Sequence, residues 1–264
     1  MVPGAAYFYP DLWMVTTPGS VDNNGLPQVQ LQRREQQMKH HVQVYTGPVR
    51  EYSGSRPSAI AKHQTEGELV LNTLGLEGDQ QAETVYHGGP DRALCHYPSE
   101  HYIHWAREFP EQAELFNAPA FGENLSTRGM TEQDVFIGDI YRWGEALIQV
   151  SQPRSPCFKL NYHFGISDMS VLMQQKGRCG WLYRVINGGR VSAALPLELV
   201  SRVSDISLSE AMSIAWHMPF DDEQYHRLLS AAGLSVSWVK TMQQRRLSGK
   251  IEDFNRRLLG RAGG

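Results

Sequence analysis

Between residues 42 and 203, apolar residues recur in short runs, several alternating with polar ones, and Gly, Pro, Asn and Asp separate the runs. Alternation at period two sets one face of a strand against a core, and turn residues of that kind end it. On this pattern strands are predicted over 42–45, 68–71, 134–137, 139–143, 147–151 and 197–203. Many short strands with frequent turn chemistry favour a barrel over a doubly wound sheet. One helix interrupts them, because Tyr102, Trp105, Ala106 and Phe109 fall at i, i+3, i+4 and i+7, with Ser99 placed as N-cap. Pro110 predicts a break, followed by another turn over 111–116.

After Ser204 the period changes to that of helices. Ser207 with Glu210, and Asp221 with Gln224, form capping-box patterns ahead of apolar residues at helical spacing. Gly233 is placed to end the second helix, a third runs over 235–247, and Ile251, Phe254 and Leu258 continue the spacing past Gly249. The expected fold is therefore β-rich, a mostly antiparallel β-barrel with one or more inserted helices and a C-terminal α-helical bundle. Residues 1–37 carry neither period, and Met38, just ahead of the first strand, reads as a natural start. The expected division is an upstream extension over 1–37, a barrel domain over 38–204 and a three-helix domain over 205–264.

Composition narrows the class. Apolar content of 41% and charged content of 20% are globular values, and a net charge of −3 gives no general case for nucleic-acid binding. Three cysteines, Cys95, Cys157 and Cys179, are widely spaced with no CxxC pair, a reduced intracellular pattern that offers no iron–sulfur set. No apolar run reaches membrane-spanning length and the start lacks a signal-peptide core, so the expected location is the cytoplasm. GxGxxG, GxxxxGK[ST] and GxSxG patterns are absent, which removes the common dinucleotide, ATPase and hydrolase readings.

The chemistry concentrates in a few stretches. In Ser151-Gln152-Pro153-Arg154-Ser155-Pro156-Cys157-Phe158-Lys159 a single cysteine stands in a turn stiffened by two prolines and flanked by two cations. Arg154 and Lys159 favour the thiolate of Cys157 where the fold brings them near, which suits a metal ligand, a nucleophile or a sulfur carrier. The alternative is an inert cysteine at a loop corner. In His87-Gly88-Gly89-Pro90-Asp91-Arg92-Ala93 the paired glycines allow close backbone approach to an anion, with His87 and Arg92 as donors, although Gly-Gly is also plain turn punctuation. Phe121-Gly122-Glu123-Asn124-Leu125 sets a carboxylate and an amide at one corner, suited to a heterocycle or to capping a turn. His101 and His104 share a helix face, but their spacing matches no zinc signature. Lys240, Arg245, Arg246, Lys250, Arg256, Arg257 and Arg261 outnumber Glu252 and Asp253, giving a solvated basic face or a dock for an acidic redox partner.

The order of these stretches, together with Leu76-Glu77-Gly78-Asp79, Ile137-Gly138-Asp139 and Ala215-Trp216-His217-Met218-Pro219, resembles the MOSC family, most closely its YiiM-type bacterial members with a three-helix extension. The resemblance runs from about Met38 to Leu259. It implies a barrel that holds a molybdenum–molybdopterin cofactor, with Cys157 as the metal ligand. It implies reduction of N-hydroxylated compounds, such as hydroxylamino-purines, to amines, a detoxifying oxidoreductase chemistry fed by an external electron donor. On this reading Cys157 and His87 are the catalytic candidates. His87, Gly88, Gly89, Arg92, Asn124, Arg154 and Lys159 are the cofactor-binding candidates. The partners are a small N-hydroxylated substrate and a reductase docking on the basic C-terminal helices, with neither membrane nor nucleic acid. Two alternatives keep the same cysteine: transfer of a persulfide from Cys157, or carriage of the cofactor without turnover.

Overall fold

The alternation along 147–151 becomes the longest strand of the fold, in which Ala146, Ile148 and Val150 face the core before burial becomes continuous over Ser151–Gln152. The computed structural model describes residues 39–52, 56–81 and 88–260, so the upstream extension expected over 1–37 and the candidate His87 lie outside the described residues. In chain order the strands are β1 (Lys39–His40), β2 (Val42–Thr46), β3 (Arg50–Tyr52), β4 (Arg56–Ser58), β5 (His63–Gln64), β6 (Glu68–Asn72), β7 (Gly75–Leu76), β8 (Leu94–His96), β9 (Leu125–Thr127), β10 (Ile140–Trp143), β11 (Ala146–Pro153), β12 (Trp181–Asn187), β13 (Gly189–Ser192) and β14 (Leu197–Ser201). The helices are α1 (Glu100–Glu108), α2 (Lys159–Phe164), α3 (Met169–Lys176), α4 (Leu208–Met212), α5 (Asp222–Leu229), α6 (Val236–Ser248) and α7 (Asn255–Leu259).

Nine strands form one sheet in the order β1-β14-β10-β11-β12-β8-β9-β2-β5, antiparallel throughout except for the parallel β8–β9 pair. A three-stranded sheet, β13-β6-β7, accompanies it. Among the described residues no pairing joins β1 to β5, so the expected closed barrel is corrected to open, mixed sheets with helices. Both edge strands are only two residues long, too short a ladder to zip the edges together. The strand expected over 134–137 is instead a turn with one bridge, Phe136 to Ser207. Two aspartates capture the backbone there. Asp134 Oδ2 accepts the Thr131 N–H, and Asp139 Oδ2 accepts the Phe136 N–H.

The helix read from Tyr102 and Trp105 is α1, which buries both, and Pro110 opens a 3-10 turn over Pro110–Leu115. The C-terminal caps also form. Ser207 accepts the Glu210 N–H, Asp221 accepts those of Glu223 and Gln224, and Ser235 accepts that of Trp238. Past α4 the chain makes a π-helical turn over Ser213–His217. None of the described helices is long and apolar enough to cross a membrane.

Strands and C-terminal helices share one core. Val44, Trp143, Ile148 and Tyr183 of the sheet join Leu208, Ala211, Tyr225 and Leu228 of the helices in a single apolar cluster. A second cluster, with Tyr102, Trp105, Phe121, Phe164 and Met173, fills the space under α1 to α3. The Ile137-Gly138-Asp139 motif is a joint between sheet and helices. Fully buried Asp139 takes two hydrogen bonds from Arg202, at 2.9 and 2.8 Å. Gly138 has φ +79°, and a Cβ there would stand 2.0 Å from the Ala232 carbonyl oxygen. Gly138→Ala is therefore expected to destabilise the fold by about 3 kcal/mol, from positive φ and backbone overlap together. Denaturant unfolding checks this, and a loss below about 1 kcal/mol would refute the joint.

Candidate functional site

The site is built where β11 runs out. Pro153 is still in register with Trp181 of β12, and the next residue, Arg154, donates its N–H to the Gly180 carbonyl at 3.0 Å. Gly180 is confined by its own surroundings, with φ +71° and only 2.1 Å between an added Cβ and the His96 carbonyl oxygen. No other residue fits at that crossing of β12 and β8. The chain then turns through Ser155 and Pro156 to Cys157, whose carbonyl accepts the Leu160 N–H at the head of α2. From the opposite side α7 clasps the turn. Arg257 donates Nη1 to the Pro156 carbonyl at 2.6 Å, and the Phe158 N–H donates to the Arg257 carbonyl at 2.8 Å. Cys157 is left partly exposed on a loop held at both ends.

Arg154 supplies the charge. Its Nη1 is buried and has no hydrogen-bond partner among the described residues. Burial works against the guanidinium charge, but Cys95, Cys157, Glu123 and Tyr97 lie within electrostatic reach and hold its pKa above the ordinary value. Cys95, on β8, is also raised, since burial outweighs Arg154 and keeps its thiol protonated. His163, on α2, is lowered by burial and then by Arg154, so its ring is neutral at pH 7.

Glu123 lies behind this charge with no exposed surface. One carboxylate oxygen accepts the Tyr102 O–H, and the other accepts the Phe121 N–H at 3.2 Å. Burial raises its pKa to about 7, against the lowering effects of Tyr102 and Arg154. Asn124 is engaged internally. Its Nδ2 donates to Asp79 Oδ2 at 2.7 Å and to the Tyr45 carbonyl at 3.2 Å, while its Oδ1 accepts the Cys95 N–H at 3.1 Å. Asp79 in turn pairs with Lys62, both side chains nearly sealed from solvent, and accepts the Gly47 N–H.

The structure thus brings Cys157 and Arg154 together, with Asn124 one layer behind as a support for Asp79 and Cys95. Lys159 opens α2, two residues beyond Cys157, and is partly buried. Gly88 is partly buried and Gly89 exposed. Gly89, at φ +98° with open space where a Cβ would stand, borders a cavity of about 400 Å³ lined also by Leu74, Gly75, Leu76, Asp79 and Gln81. Arg92 is directed elsewhere, donating to Ser237 Oγ at the start of α6 at 3.2 Å. Its neighbour Asp91 accepts from Arg184 at 2.8 Å and from the Val236 N–H at 3.0 Å, so this part of the glycine motif ties β12 to α6. His101 pairs through Nε2 with Glu132 at 2.8 Å, while its Nδ1 is buried with no hydrogen-bond partner among the described residues. Among the described residues no group of three or more His, Cys, Asp or Glu is placed to hold a metal ion, so a metal here would rest on Cys157 and on ligands from outside the chain. The basic C-terminal stripe is thinned. Arg245 is buried against Glu252, Arg246 pairs with Asp222 and Arg257 turns inward, leaving Lys240, Lys250 and Arg256 exposed among the described residues, outside which Arg261 lies.

From the sequence the Glu123 carboxylate was offered only as part of a corner suited to a heterocycle or to capping a turn, and Cys95 was not singled out as a site residue. The missing signal was burial: a glutamate between a glycine and an asparagine looks like a surface turn until both its oxygens are seen to be used internally.

These features fit the group that the resemblance implies. A partly exposed thiol suits a soft metal, and a buried guanidinium nitrogen without an acceptor suits an anionic ligand placed beside it.

Comparison with known proteins agrees. Residues 83–198 match the MOSC domain, and residues 206–249 match the YiiM-like 3-alpha helix domain. Protein YiiM of Escherichia coli (strain K12) is 72% identical over 224 residues, covering 85% of this chain and all of that protein. A reductase of Gibberella moniliformis is 37% identical over 164 residues, which are 61% of this chain and 29% of the fungal protein. Among solved structures, YiiM from Escherichia coli superposes with a TM-score of 0.75 at 67% identity, covering 84% of this chain and 100% of that one. YiiM from Geobacillus stearothermophilus gives 0.67 at 32% identity, covering 79% and 99%. The chain belongs to the MOSC-domain family, among its YiiM-like members with a C-terminal three-helix domain.

Proposed function

We propose that this protein is a molybdenum-cofactor-dependent oxidoreductase that reduces N-hydroxylated compounds, of the hydroxylamino-purine type, to amines. The observation that carries the reading is the pairing of a partly exposed Cys157 thiol with the buried, unpartnered Nη1 of Arg154. The similarity to a fungal protein named a reductase supports the redox class.

Reducing R–NH–OH to R–NH2 breaks an N–O bond, consumes two electrons and two protons, and releases water. Side chains supply no such electron pair, so the bound cofactor would supply the two-electron, oxygen-accepting chemistry. The chain's part is to hold and orient. Cys157 provides the thiolate ligand from a loop that α7 keeps in place. Arg154 would neutralise an anionic group of the bound cofactor, and its burial would make that contact stronger than in water. Lys159 and the open backbone at Gly88 and Gly89 are further candidates for its phosphate. Electrons come from a separate reductase. The exposed Lys240, Lys250 and Arg256 mark where an acidic partner of that kind would dock, in the cytoplasm where such partners operate.

Protein made with an intact cofactor pathway is expected to carry molybdenum and pterin, and to reduce a hydroxylamino-purine with an artificial electron donor. Cys157→Ala should lose the metal and the activity together. Full activity in the alanine variant overturns the assignment. A labile sulfur adduct on Cys157 by mass spectrometry, with no molybdenum needed for turnover, would replace it by persulfide transfer.

A further inference from the structure

Each peptide unit is planar, so the direction of a Cα–Cβ bond is set by the two peptide planes on either side of it. For Cys157 those planes are the Pro156–Cys157 and Cys157–Phe158 units, and one residue of α7 holds both. Arg257 Nη1 donates to the Pro156 carbonyl at 2.6 Å, and the Arg257 carbonyl accepts the Phe158 N–H at 2.8 Å. The two partners stand 101 residues apart in the chain, so the contact joins the C-terminal helices to the end of β11.

The guanidinium has its own seat. Its Nη2 donates to Gln174 Oε1 on α3, and its Cζ lies 5.5 Å from the centroid of the Trp216 ring and 5.2 Å from that of Phe254. Trp216 belongs to the Ala215-Trp216-His217-Met218-Pro219 motif, which thereby gains a part in the site. It stands in the π-helical turn over Ser213–His217, and turns of that kind recur at functional positions. The next residue, His217, donates Nε2 to the carbonyl of the same Gln174 at 2.8 Å. The motif therefore supports Arg257 twice, through the Trp216 face and through Gln174. Beyond Arg257, α7 is anchored again, since the Leu258 carbonyl accepts Ser170 Oγ at 2.6 Å and Asn161 Nδ2 at 3.0 Å.

We propose that Arg257, seated by the 215–219 motif, is a positioning residue for Cys157, so that the C-terminal helical domain completes the site. The proposal rests on the reading of Cys157 as metal ligand and deepens it. With both flanking peptide planes held, the thiol keeps only its χ1 rotation, and a ligand restrained in this way presents one geometry to a metal. Charge alone does not achieve this. The planar fork reaches the Pro156 carbonyl and Gln174 Oε1 together while its face rests on Trp216, whereas a lysine offers one nitrogen and no plane.

Variants separate positioning from general stability. Arg257→Met removes the fork, Arg257→Lys keeps only its charge, and Arg246→Gln removes a C-terminal arginine whose hydrogen bonds run to Asp222. The first measurement is residue-resolved amide hydrogen exchange at Phe158 in cofactor-free protein, which needs no part of the reductase reading. Arg257→Met and Arg257→Lys should each lose roughly tenfold in Phe158 protection, the factor expected of one charge-assisted hydrogen bond, while Arg246→Gln changes it less than about twofold. Unchanged protection in Arg257→Met, or protection restored by lysine, overturns the proposal. Gln174→Met removes the Nη2 acceptor and leaves Arg257 in place, so it keeps the test open should Arg257→Met fail to fold. It should cost about threefold at Phe158, and an unmoved amide there counts equally against the proposal.

The second measurement is X-ray absorption at the molybdenum edge, on cofactor-loaded samples of equal molybdenum content. The sulfur shell should lose amplitude in Arg257→Met and Arg257→Lys and keep the wild-type amplitude in Arg246→Gln. A wild-type shell in Arg257→Met overturns the positioning role while leaving Cys157 as the ligand. Wild-type protein free of molybdenum, made with the cofactor pathway intact, overturns the metal reading itself, and Phe158 exchange then decides alone whether Arg257 sets the cysteine turn.

Discussion

A guanidinium taken out of water must have its charge answered, and at Arg154 the protein answers it only in part. The backbone N–H of that residue is fixed to Gly180, Glu123 lies within electrostatic reach of its charge, and yet Nη1 has no acceptor among the described residues. A buried donor without a partner costs on the order of 1–3 kcal/mol, more when charged. Other buried atoms of the described residues, Trp181 Nε1 among them, also lack a partner, but beside Arg154 the partly exposed Cys157 stands three residues along the same turn. The candidate site is thus marked by an unmet hydrogen bond as much as by a partly exposed sulfur.

The surrounding architecture keeps that unmet bond in place. β11 and β12 carry Arg154 to the rim of the sheet, and Gly180 allows β12 to pass against β8 with no side chain between. Arg257 of α7 closes over the Cys157 turn from the helical side. Arg184 joins the layers, since it donates to Asp91, to Gln149 and to the Gly233 carbonyl, each at 2.8 Å. The C-terminal helices therefore act as a clamp on the site as well as a cover for the sheet.

Much of this was legible in the sequence, and the part that was not has definite causes. The strands with clean alternation, β2, β6, β10, β11 and β14, were found, and so were α5 and α6, whose caps are local, and α1, whose apolar spacing sufficed although Ser99 makes no side-chain cap bond. β8 and β9 were missed because three-residue strands with buried flanks show no alternation. β12 was missed although Trp181, Tyr183 and Val185 face inward, because Leu182 and Ile186 make both faces apolar. Closure of the sheet was over-read, since strand count says nothing about how long the edge strands are. At the candidate site, Cys157 and Arg154 stood out as candidates because proline and charge mark their turn. The sequence order of the glycine motif did not reveal that Asp91 and Arg92 face α6. That depends on a partner about 145 residues away.

The most direct test of the account is anomalous diffraction at the molybdenum edge from crystals of the protein purified with its cofactor pathway intact. The account predicts a peak bonded to Cys157 Sγ, with a ligand oxygen or sulfur within hydrogen-bonding distance of Arg154 Nη1. A metal peak away from Cys157, with Arg154 Nη1 still unpaired, would contradict it.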